Sequence, residues 1–426
     1  MLNKEKTRRA WPIGLWVISL YFIEGLPFSL VNTVSVTFFK TLQVSNSQIG
    51  LFTSLFYIPW AIKFLWAPFI DFTSSRRKWL ITIQLVLASF ALLLSLCALY
   101  SKSFILFCLL FALIAFASAT YDVACDGYYL DILDKAKQSL YIGWRNTAYK
   151  LAWLFAAGFL VFLAGQIASC KIKFIEPANN IGWCVAFSLT AIVFAAAALL
   201  HTYTLPISSN VIPANQNRQL LANFKEAFFS FFQQKKMALV LAWVLLFRAG
   251  DALLLKMAQP FLLDKLDKGG LDLSLQTVGL IYGSVGIGFL LLGGLVGGWL
   301  VYKFSLKKCL LPTAILQSFT LLLYWLLAIY HPKLDYVVLA NAFEQFAYGL
   351  ATAAYTSYLF TMVKDKYRAS HYAIATGFMA IGMIIPGMIS GYLVDSIGYQ
   401  QFFLISYFMS LPGIICTIKL PFTFNQ

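Results

Sequence analysis

Two aspartates inside an apolar run are the first residues of this sequence that could do chemistry. Asp122 and Asp126 lie four residues apart, so a helix would place both carboxyl groups on one face. Like charges at that spacing repel, and we expect at least one carboxyl group to hold a proton or to face a base on another helix. The pair is therefore a candidate for proton coupling. An ion pair that only holds helices together is the alternative.

Basic side chains inside other apolar runs are candidates for binding an anionic solute. Lys63 interrupts one run, and Lys150 lies in a later run at a depth close to Asp122. At a bilayer centre a charge costs at least about 2.5 to 3.5 kcal/mol on insertion scales, so each base needs a partner or a water-filled cavity. We predict that both lysines bind substrate beside the aspartates. A structural ion pair is again the alternative.

The second half of the sequence has its own ionisable set. Arg248 and Asp251 are three residues apart and can neutralise each other on a helix, while the remaining guanidinium donors can bind a carboxylate or phosphate. Lys256 follows in the same run and either snorkels to the interface or contacts substrate. Glu344 lies about 15 Å along its helix from the nearer end. That depth makes snorkelling difficult, so we predict a function for Glu344.

The first apolar run contains an acid beside helix-interrupting residues. Glu24 adjoins Gly25 and precedes Pro27, and an interrupted helix near the midplane is typical of transporter binding sites. A purely structural kink is the alternative. The predicted proton-coupling residues are Asp122, Asp126, Glu344 and Glu24.

Aromatic residues next to the charged positions could stack on a sugar ring, although packing explains most single aromatics equally well. Tyr121 and Tyr348 are the two that we assign to the site. The predicted substrate-binding residues are Lys63, Lys150, Arg248, Asp251, Tyr121 and Tyr348. Arg145, a further base inside a run, is not assigned to it.

A charged loop follows the run that contains Lys63. Asp71 precedes Arg76 and Arg77, and such a cluster can bond to a neighbouring helix end in one state and release it in another. We predict a gate at these three residues, in addition to the membrane anchoring that their positive charge provides.

Motifs for metals and catalysis are missing from the sequence. The seven cysteines lack metal-ligand spacing, and the three histidines stand at the ends of apolar runs, so we predict neither metal nor cofactor. Cys170 and Cys184 flank one loop and could pair, but independent buried thiols are the preferred interpretation. There is no P-loop, nucleophile elbow or HExxH, so we predict that the protein is not an enzyme.

These residues must be positioned by membrane helices. Of 426 residues 60% are hydrophobic and 12% are charged, more apolar surface than one soluble core can bury. Period-two alternation, the signature of a barrel, is absent. The net charge of +15 comes from short clusters between apolar runs, which argues against nucleic-acid binding and for membrane topology. The protein is therefore predicted to be an all-α polytopic membrane protein.

Twelve spans are predicted, in two sets of six. The predicted boundaries are 12–38, 47–70, 79–99, 103–131, 138–166, 181–203, 236–263, 274–302, 307–330, 334–363, 369–394 and 400–420. The corresponding domains are an N-terminal six-helix bundle at 1–204, a cytoplasmic central loop at 205–235 and a C-terminal six-helix bundle at 236–426. The first run is too long for a cleaved signal peptide and is predicted to remain as a span.

The distribution of bases predicts the orientation. The termini and the even-numbered loops hold 20 lysines and arginines, and the opposite loops hold 7. Under the positive-inside rule both termini are cytoplasmic.

The two halves also resemble each other weakly. Phe22-Ile-Glu-Gly25 aligns with Phe247-Arg-Ala-Gly250, and Gln48-Ile-Gly-Leu51 aligns with Thr277-Val-Gly-Leu280. Both matches fall at corresponding positions of the halves, as expected for the repeats of a transporter. Together with the central loop they indicate the major facilitator fold.

Several motifs carry a resemblance to a known branch of that fold. They are Glu24-Gly-Leu-Pro27, Lys63-Phe-Leu-Trp-Ala-Pro-Phe-Ile-Asp71, Arg76-Arg-Lys-Trp79, Tyr121-Asp122 with Asp126, and Phe343-Glu-Gln345 before Gly349-Leu-Ala-Thr-Ala-Ala354. They resemble the AmpG-type muropeptide permeases and the related acetyl-CoA transporters. The loop after Asp71 is shorter than is typical, and Tyr121 replaces the usual glutamine.

The resemblance implies a secondary transporter that imports anhydromuropeptides with protons across a bacterial inner membrane, for cell-wall recycling. Its partners would be an anionic sugar-peptide, protons and the lipid bilayer, and we expect a monomer. One alternative keeps the fold but carries another anionic solute, such as an acyl-CoA, a peptide or a drug. Another is a membrane receptor that binds cell-wall fragments without transporting them.

Overall fold

The architecture is entirely helical in the part of the chain that the structure describes. The structure is a computed structural model, and it describes residues 12–67, 69–70, 75–101, 103–170, 178–206, 226, 228–234, 236–362 and 368–422. The first six long helices are α1 (Ile13–Thr41), α2 (Asn46–Leu65), α3 (Arg76–Tyr100), α4 (Phe104–Ile132), α5 (Lys135–Trp153 continued by Leu154–Leu160 and Val161–Ser169) and α6 (Ala178–Thr204).

The second six helices follow the central loop. The first four are α7 (Met237–Leu263), α8 (Leu275–Phe304), α9 (Leu306–Tyr330) and α10 (Leu334–Thr361). The last two form one long element, Arg368–Ile418, in which the non-helical Gly398 separates α11 before it from α12 after it. Ten described segments are long and apolar enough to cross a membrane, and one of them, Ile374–Ile418, contains both α11 and α12. The chain is thus a multi-pass membrane protein, and each of the twelve predicted spans overlaps a described helix, of which α10 alone is not covered by these ten segments.

Short polar side chains start several of these helices. Ser45, Ser75, Ser103 and Ser274 each accept a hydrogen bond from the backbone N–H three residues later, and Asp134 does the same at the start of α5. These caps satisfy backbone donors that a helix leaves unpaired at its first turn. They explain why the spans begin close to the predicted positions.

One end departs from the prediction. We predicted that the second span continues to residue 70, but α2 ends at Leu65 after a 3₁₀ turn over Lys63–Leu65. A turn at Phe56–Tyr57 and Pro59 already weaken this helix, because proline removes a backbone donor. The break places Lys63 where the helical backbone unwinds.

Packing divides the chain into two compact units. The first unit comprises Met1–Val31, Lys63–Ala156 and Gln166–Ala214, and the second comprises Asn32–Ile62, Ala157–Gly165 and Asn215–Gln426. The second unit thus includes parts of α1, α2 and α5 packed on C-terminal helices. These units do not follow the predicted domain boundaries at 204 and 236, which remain a prediction based on the sequence repeats. Residues 207–225 of the central loop lie outside the described residues.

The weak repeat has a structural counterpart in the second unit. A methyl group at Gly50 of α2 would lie 2.8 Å from Ser390 Oγ of α11, and one at Gly279 of α8 would lie 2.7 Å from Phe162 N of α5. Both glycines follow a serine cap by five residues, at Ser45 and at Ser274. The aligned sequences Gln48–Leu51 and Thr277–Leu280 therefore form equivalent helix starts in two close helix pairs.

Candidate functional site

Two ion pairs lie side by side on α4 of the first unit. Lys63 Nζ is paired with Asp122 Oδ2, and Arg145 Nη2 lies 2.8 Å from Asp126 Oδ1. The bases come from α2 and α5, so each aspartate faces a base on another helix, as the four-residue spacing requires. The Asp126 side chain is 39% exposed and that of Lys63 is 35% exposed. The pairs therefore stand on an accessible face of the unit, where an anionic solute can compete for the bases.

Aromatic rings hold the second of these pairs. The Tyr21 hydroxyl donates a hydrogen bond to Asp126 Oδ1 at 3.0 Å, and the Arg145 guanidinium lies 4.5 Å from the centroid of the Tyr21 ring and 5.9 Å from that of Tyr129. A guanidinium over a ring face is favourable and is fixed in orientation. Arg145 is thus held as a rigid donor beside Asp126.

Arg145, which the sequence analysis does not assign to the site, is a base that pairs with Asp126. Arg145 and Lys150 are five residues apart on α5, and at 3.6 residues per turn that spacing places them on different faces of the helix. Lys150 Nζ instead lies 4.3 Å from the centroid of the Trp153 ring, and Phe28 stacks on the same indole at 5.6 Å. The sequence analysis compared only the depth of the bases in the membrane, which favoured Lys150. It did not consider the face of α5 on which Arg145 lies.

Glu24 lies within the same region of the first unit. Its side chain is buried, and no residue that the structure describes donates a hydrogen bond to its Oε2. Asp126 and Arg145 are close enough to influence its charge. Next to it, a methyl group on Gly25 would lie 2.6 Å from Tyr149 O, so α1 and α5 touch at the backbone level here. The interrupted sequence of α1 therefore allows close helix packing and brings Glu24 to the ion pairs.

Tyr121 belongs to a separate hydrogen-bond network in the first unit. Its ring is fully buried, its hydroxyl lies 3.4 Å from Leu20 O, and Gln84 Nε2 donates to it at 2.9 Å. Gln84 Nε2 also lies 2.7 Å from His201 Nδ1, and His201 Nε2 lies 2.9 Å from Ser19 Oγ. This network joins α1, α3, α4 and α6, so the contacts of Tyr121 favour the packing alternative.

The predicted gate is described in part. Arg76 forms an ion pair with Asp131 of α4 and lies 3.4 Å from Gly127 O. Arg77 donates to backbone carbonyls at the end of α6, including Leu205 O at 3.1 Å. Asp71 lies outside the described residues. Both arginines thus bind helix ends within the first unit, which is the contact that the gate hypothesis requires in one state.

The second unit contains an arginine enclosed by aromatic rings. Arg248 stands between the two helical segments of α7, and its guanidinium lies 4.6 Å from the Tyr348 ring centroid and 5.0 Å from that of Tyr355. Its Nη2 donates to Thr352 Oγ1 at 2.8 Å, and its Nη1 lies 3.8 Å from Asp251 Oδ2. The predicted neighbours Arg248, Asp251 and Tyr348 are thus brought together.

Two further acids complete this region. Asp251 accepts a hydrogen bond from Gln317 of α9, a residue that the sequence analysis missed because a lone glutamine in an apolar run carries no distinctive signal. Glu344 is 2% exposed and accepts from Gln345 Nε2 at 2.8 Å. Within the described residues no base forms an ion pair with Glu344. It therefore differs from Asp122 and Asp126, whose charges are balanced directly.

Lys256 points inward. Its Nζ donates to the backbone oxygen of Thr53 in α2 at 2.9 Å, so the snorkelling alternative is wrong for this structure. All seven cysteines are free thiols, so Cys170 and Cys184 do not pair, but the expectation that both are buried is wrong because Cys170 is exposed and Cys184 is partly buried.

The sequence matches the Major Facilitator Superfamily over residues 17–263 and 249–423, which together span nearly the whole chain. The chain belongs to the major facilitator superfamily. Proteins of this superfamily move small solutes across membranes, and none of the features above requires a catalytic group.

Relatives narrow the branch of the superfamily. An anhydromuropeptide permease of Escherichia coli K12 is 26% identical over 417 residues, covering 95% of this chain and 79% of that protein. A transporter named AmpG 4 from Rickettsia conorii is 25% identical, with 95% of each chain covered. The expected resemblance to AmpG-type permeases is confirmed.

Solved structures agree on the fold. A D-xylose–proton symporter has a TM-score of 0.72 at 15% identity, with 95% of this chain and 96% of that chain covered. The nucleoside transporter NupG has a TM-score of 0.70 at 16% identity, with coverage of 96% and 99%. These structures support the predicted major facilitator fold. The match to the superfamily and the AmpG-type relatives identify the protein as a secondary transporter, not an enzyme.

Proposed function

We propose that this transporter imports anhydromuropeptides together with protons across a bacterial inner membrane, with both termini in the cytoplasm. The observation that carries the substrate assignment is the match to an anhydromuropeptide permease over 95% of the chain. Such a solute combines sugar rings with carboxylates. It needs bases and aromatic surfaces on the protein, and both units offer them.

The bases available to the solute differ in accessibility. Lys63 and Arg145 are about one-third exposed, whereas Arg248 is 3% exposed. An anion can reach a partly exposed base and compete with Asp122 or Asp126 for it, whereas a base as buried as Arg248 is shielded from an incoming solute. We assign the first contact with substrate carboxylates to Lys63 and Arg145. Arg248 holds Tyr348 in place for stacking.

A second candidate keeps the transport mechanism and changes the solute. Rickettsia felis encodes two relatives of this chain, named as AmpG 2 and AmpG 4 transporters, which are 23% and 26% identical to it. Two divergent copies in one organism favour different solutes for different copies. An acyl-CoA, another peptide or a drug would then replace the muropeptide.

Uptake of a labelled anhydromuropeptide into proteoliposomes tests the proposal. With a more acidic outside solution we expect saturable accumulation, competed by unlabelled anhydromuropeptide and not by acyl-CoA, an unrelated peptide or a drug. Competition by one of those solutes instead would favour the second candidate. Binding without uptake or counterflow would support a receptor and contradict both transport hypotheses.

A further inference from the structure

Polar side chains join α1 and α2 to α7 and α12 at one end of the second unit. We call this the far end, because it is opposite the helix ends that carry Ile13 and Met237. Lys40 Nζ lies 2.6 Å from Asp264 Oδ2 and donates to Asn46 Oδ1 at 2.7 Å. The Tyr399 hydroxyl donates to the same Asp264 oxygen at 2.7 Å. We call these four residues the latch. It connects the N-terminal and C-terminal halves of the sequence.

The latch is buried and its acid is rigidly placed. Lys40 is 8% exposed and Asp264 6% exposed. Beyond Asp264 the backbone turns back on α7, with Leu271 N donating to Phe261 O at 2.9 Å and Asp272 N donating to Asp264 O at 2.7 Å. The carboxylate therefore has a fixed position, and Lys40 at the end of α1 is held against it.

Further polar contacts continue the same connection. Thr37 Oγ1 donates to Gln259 Oε1 at 2.8 Å, Lys256 Nζ donates to Thr53 O, and Ser47 N donates to Asp395 Oδ2 at 2.9 Å. Each contact joins α1 or α2 to a C-terminal helix. The other close pair in this unit, α5 with α8, meets through small residues such as Gly158 and Gly283. The polar contacts named here therefore lie on the side of α1 and α2.

The energetics of a buried ion pair suit a contact that opens and closes. The attraction between two buried charges roughly offsets their desolvation, so separating them into water costs little, whereas removing one partner is strongly unfavourable. The latch residues line a cavity of about 520 Å³, together with Lys268 and Asp395. Water can therefore hydrate both charges when they separate.

We propose that the latch is the far-end gate of the transport cycle: it closes this end of the protein as described here and breaks whenever the far end opens. A secondary transporter must expose its site to each side in turn. The latch favours the closed state of the far end through its geometry, and its net contribution to the free energy of that state is small. The inference rests on the transporter fold and does not depend on which solute is carried.

Thiol accessibility tests the gate without a substrate. Ser54 is 1% exposed, its Oγ has no hydrogen-bond partner, and it faces Gly387 of α11 below the latch. The reporter is Ser54→Cys in a variant with the seven native cysteines replaced. Purified protein in detergent is treated with a membrane-impermeant maleimide, so the orientation in the membrane does not matter.

Opposite changes are expected from two kinds of latch variant. Lys40→Ala or Asp264→Ala should raise the labelling rate at least about tenfold, because one buried charge loses its partner. The apolar pair Lys40→Met with Asp264→Leu should lower the rate below that of the parent, because it closes this end without a desolvation cost. The exchanged pair Lys40→Asp with Asp264→Lys restores an ion pair, so its labelling rate should return towards that of the parent. This result would distinguish loss of the gate from misfolding of the single variants.

Lys268→Ala is the matched control, since Lys268 lines the same cavity but is exposed and forms no ion pair within the described residues. It should label like the parent. Equal rates in all variants would overturn the proposal, and so would faster labelling of Lys268→Ala than of Lys40→Ala. A failure to transport anhydromuropeptide would leave the result unaffected, because no solute is present.

Discussion

At the residue scale, the acids predicted to couple protons differ in how their charge is balanced. Asp122 and Asp126 each have a base on another helix, whereas Glu344 is buried and hydrogen-bonded to an amide. A buried carboxylate without a base is costly, and binding a proton removes that cost. We therefore propose Glu344 as a candidate for binding and releasing a proton as its surroundings change.

The corresponding prediction concerns coupling. Glu344→Gln should abolish accumulation driven by a pH gradient, because the amide carries no proton, but exchange of labelled for unlabelled solute should stay within about threefold of the parent. Uptake and exchange assays in the same proteoliposomes measure the two activities. Gln345→Asn is the control, since it changes the adjacent amide and leaves the acid. Loss of both activities in Glu344→Gln would assign the residue to solute binding or structure.

A second prediction at this scale concerns the enclosed arginine. Arg248→Lys keeps the charge but loses the planar group between Tyr348 and Tyr355, together with the bond to Thr352. We expect uptake to fall about tenfold or more, in line with the loss of a hydrogen bond to a charged group. Thr352→Val removes only one bond and should have a smaller effect. Equal effects of both variants would show that the rings do not matter.

At the scale of elements, glycine decides how closely α8 approaches its neighbours. A methyl group on Gly283 would overlap the Ala157 carbonyl of α5, whereas one on Gly288 of the same helix would meet nothing within 4 Å. The two positions therefore form a matched pair for measuring the tightness of the α5–α8 contact.

We expect Gly283→Ala to destabilise the protein by about 1 to 3 kcal/mol, the usual cost of overpacking, and Gly288→Ala to have almost no effect. Thermal unfolding in detergent measures both. Similar melting temperatures for the two variants would show that α5 and α8 can separate without loss, contrary to the close packing described here.

The elements were far more predictable than the contacts between them. Hydropathy predicts all twelve helices, because this signal is local in sequence. The pairing of Arg145 with Asp126, the Gln317 bond to Asp251 and the latch of Lys40 with Asp264 depend on helix phase and on how helices pack, which no local signal fixes. Lys40 was assigned only to a loop outside the cytoplasm.

At the scale of the whole molecule, the orientation of the helices is still a prediction, and two native thiols can test it. Cys170 follows α5 at the far end and is exposed, whereas Cys416 lies near the opposite end of α12. If both termini are cytoplasmic, an impermeant maleimide should label Cys170 in intact cells and Cys416 only after permeabilisation. Variants Cys170→Ser and Cys416→Ser identify each signal. The reverse pattern would invert the orientation.

The joint at Gly398 has a mechanical consequence. Residue 398 has φ of 76°, in the left-handed region that favours glycine, and it connects α11 to α12 without an intervening loop. Asp395 lies just before it and Tyr399 just after it, and each binds a partner at the far end. Because no loop separates the two helices, a tilt of α11 also displaces the start of α12. We therefore expect the far ends of both helices to move together about residue 398.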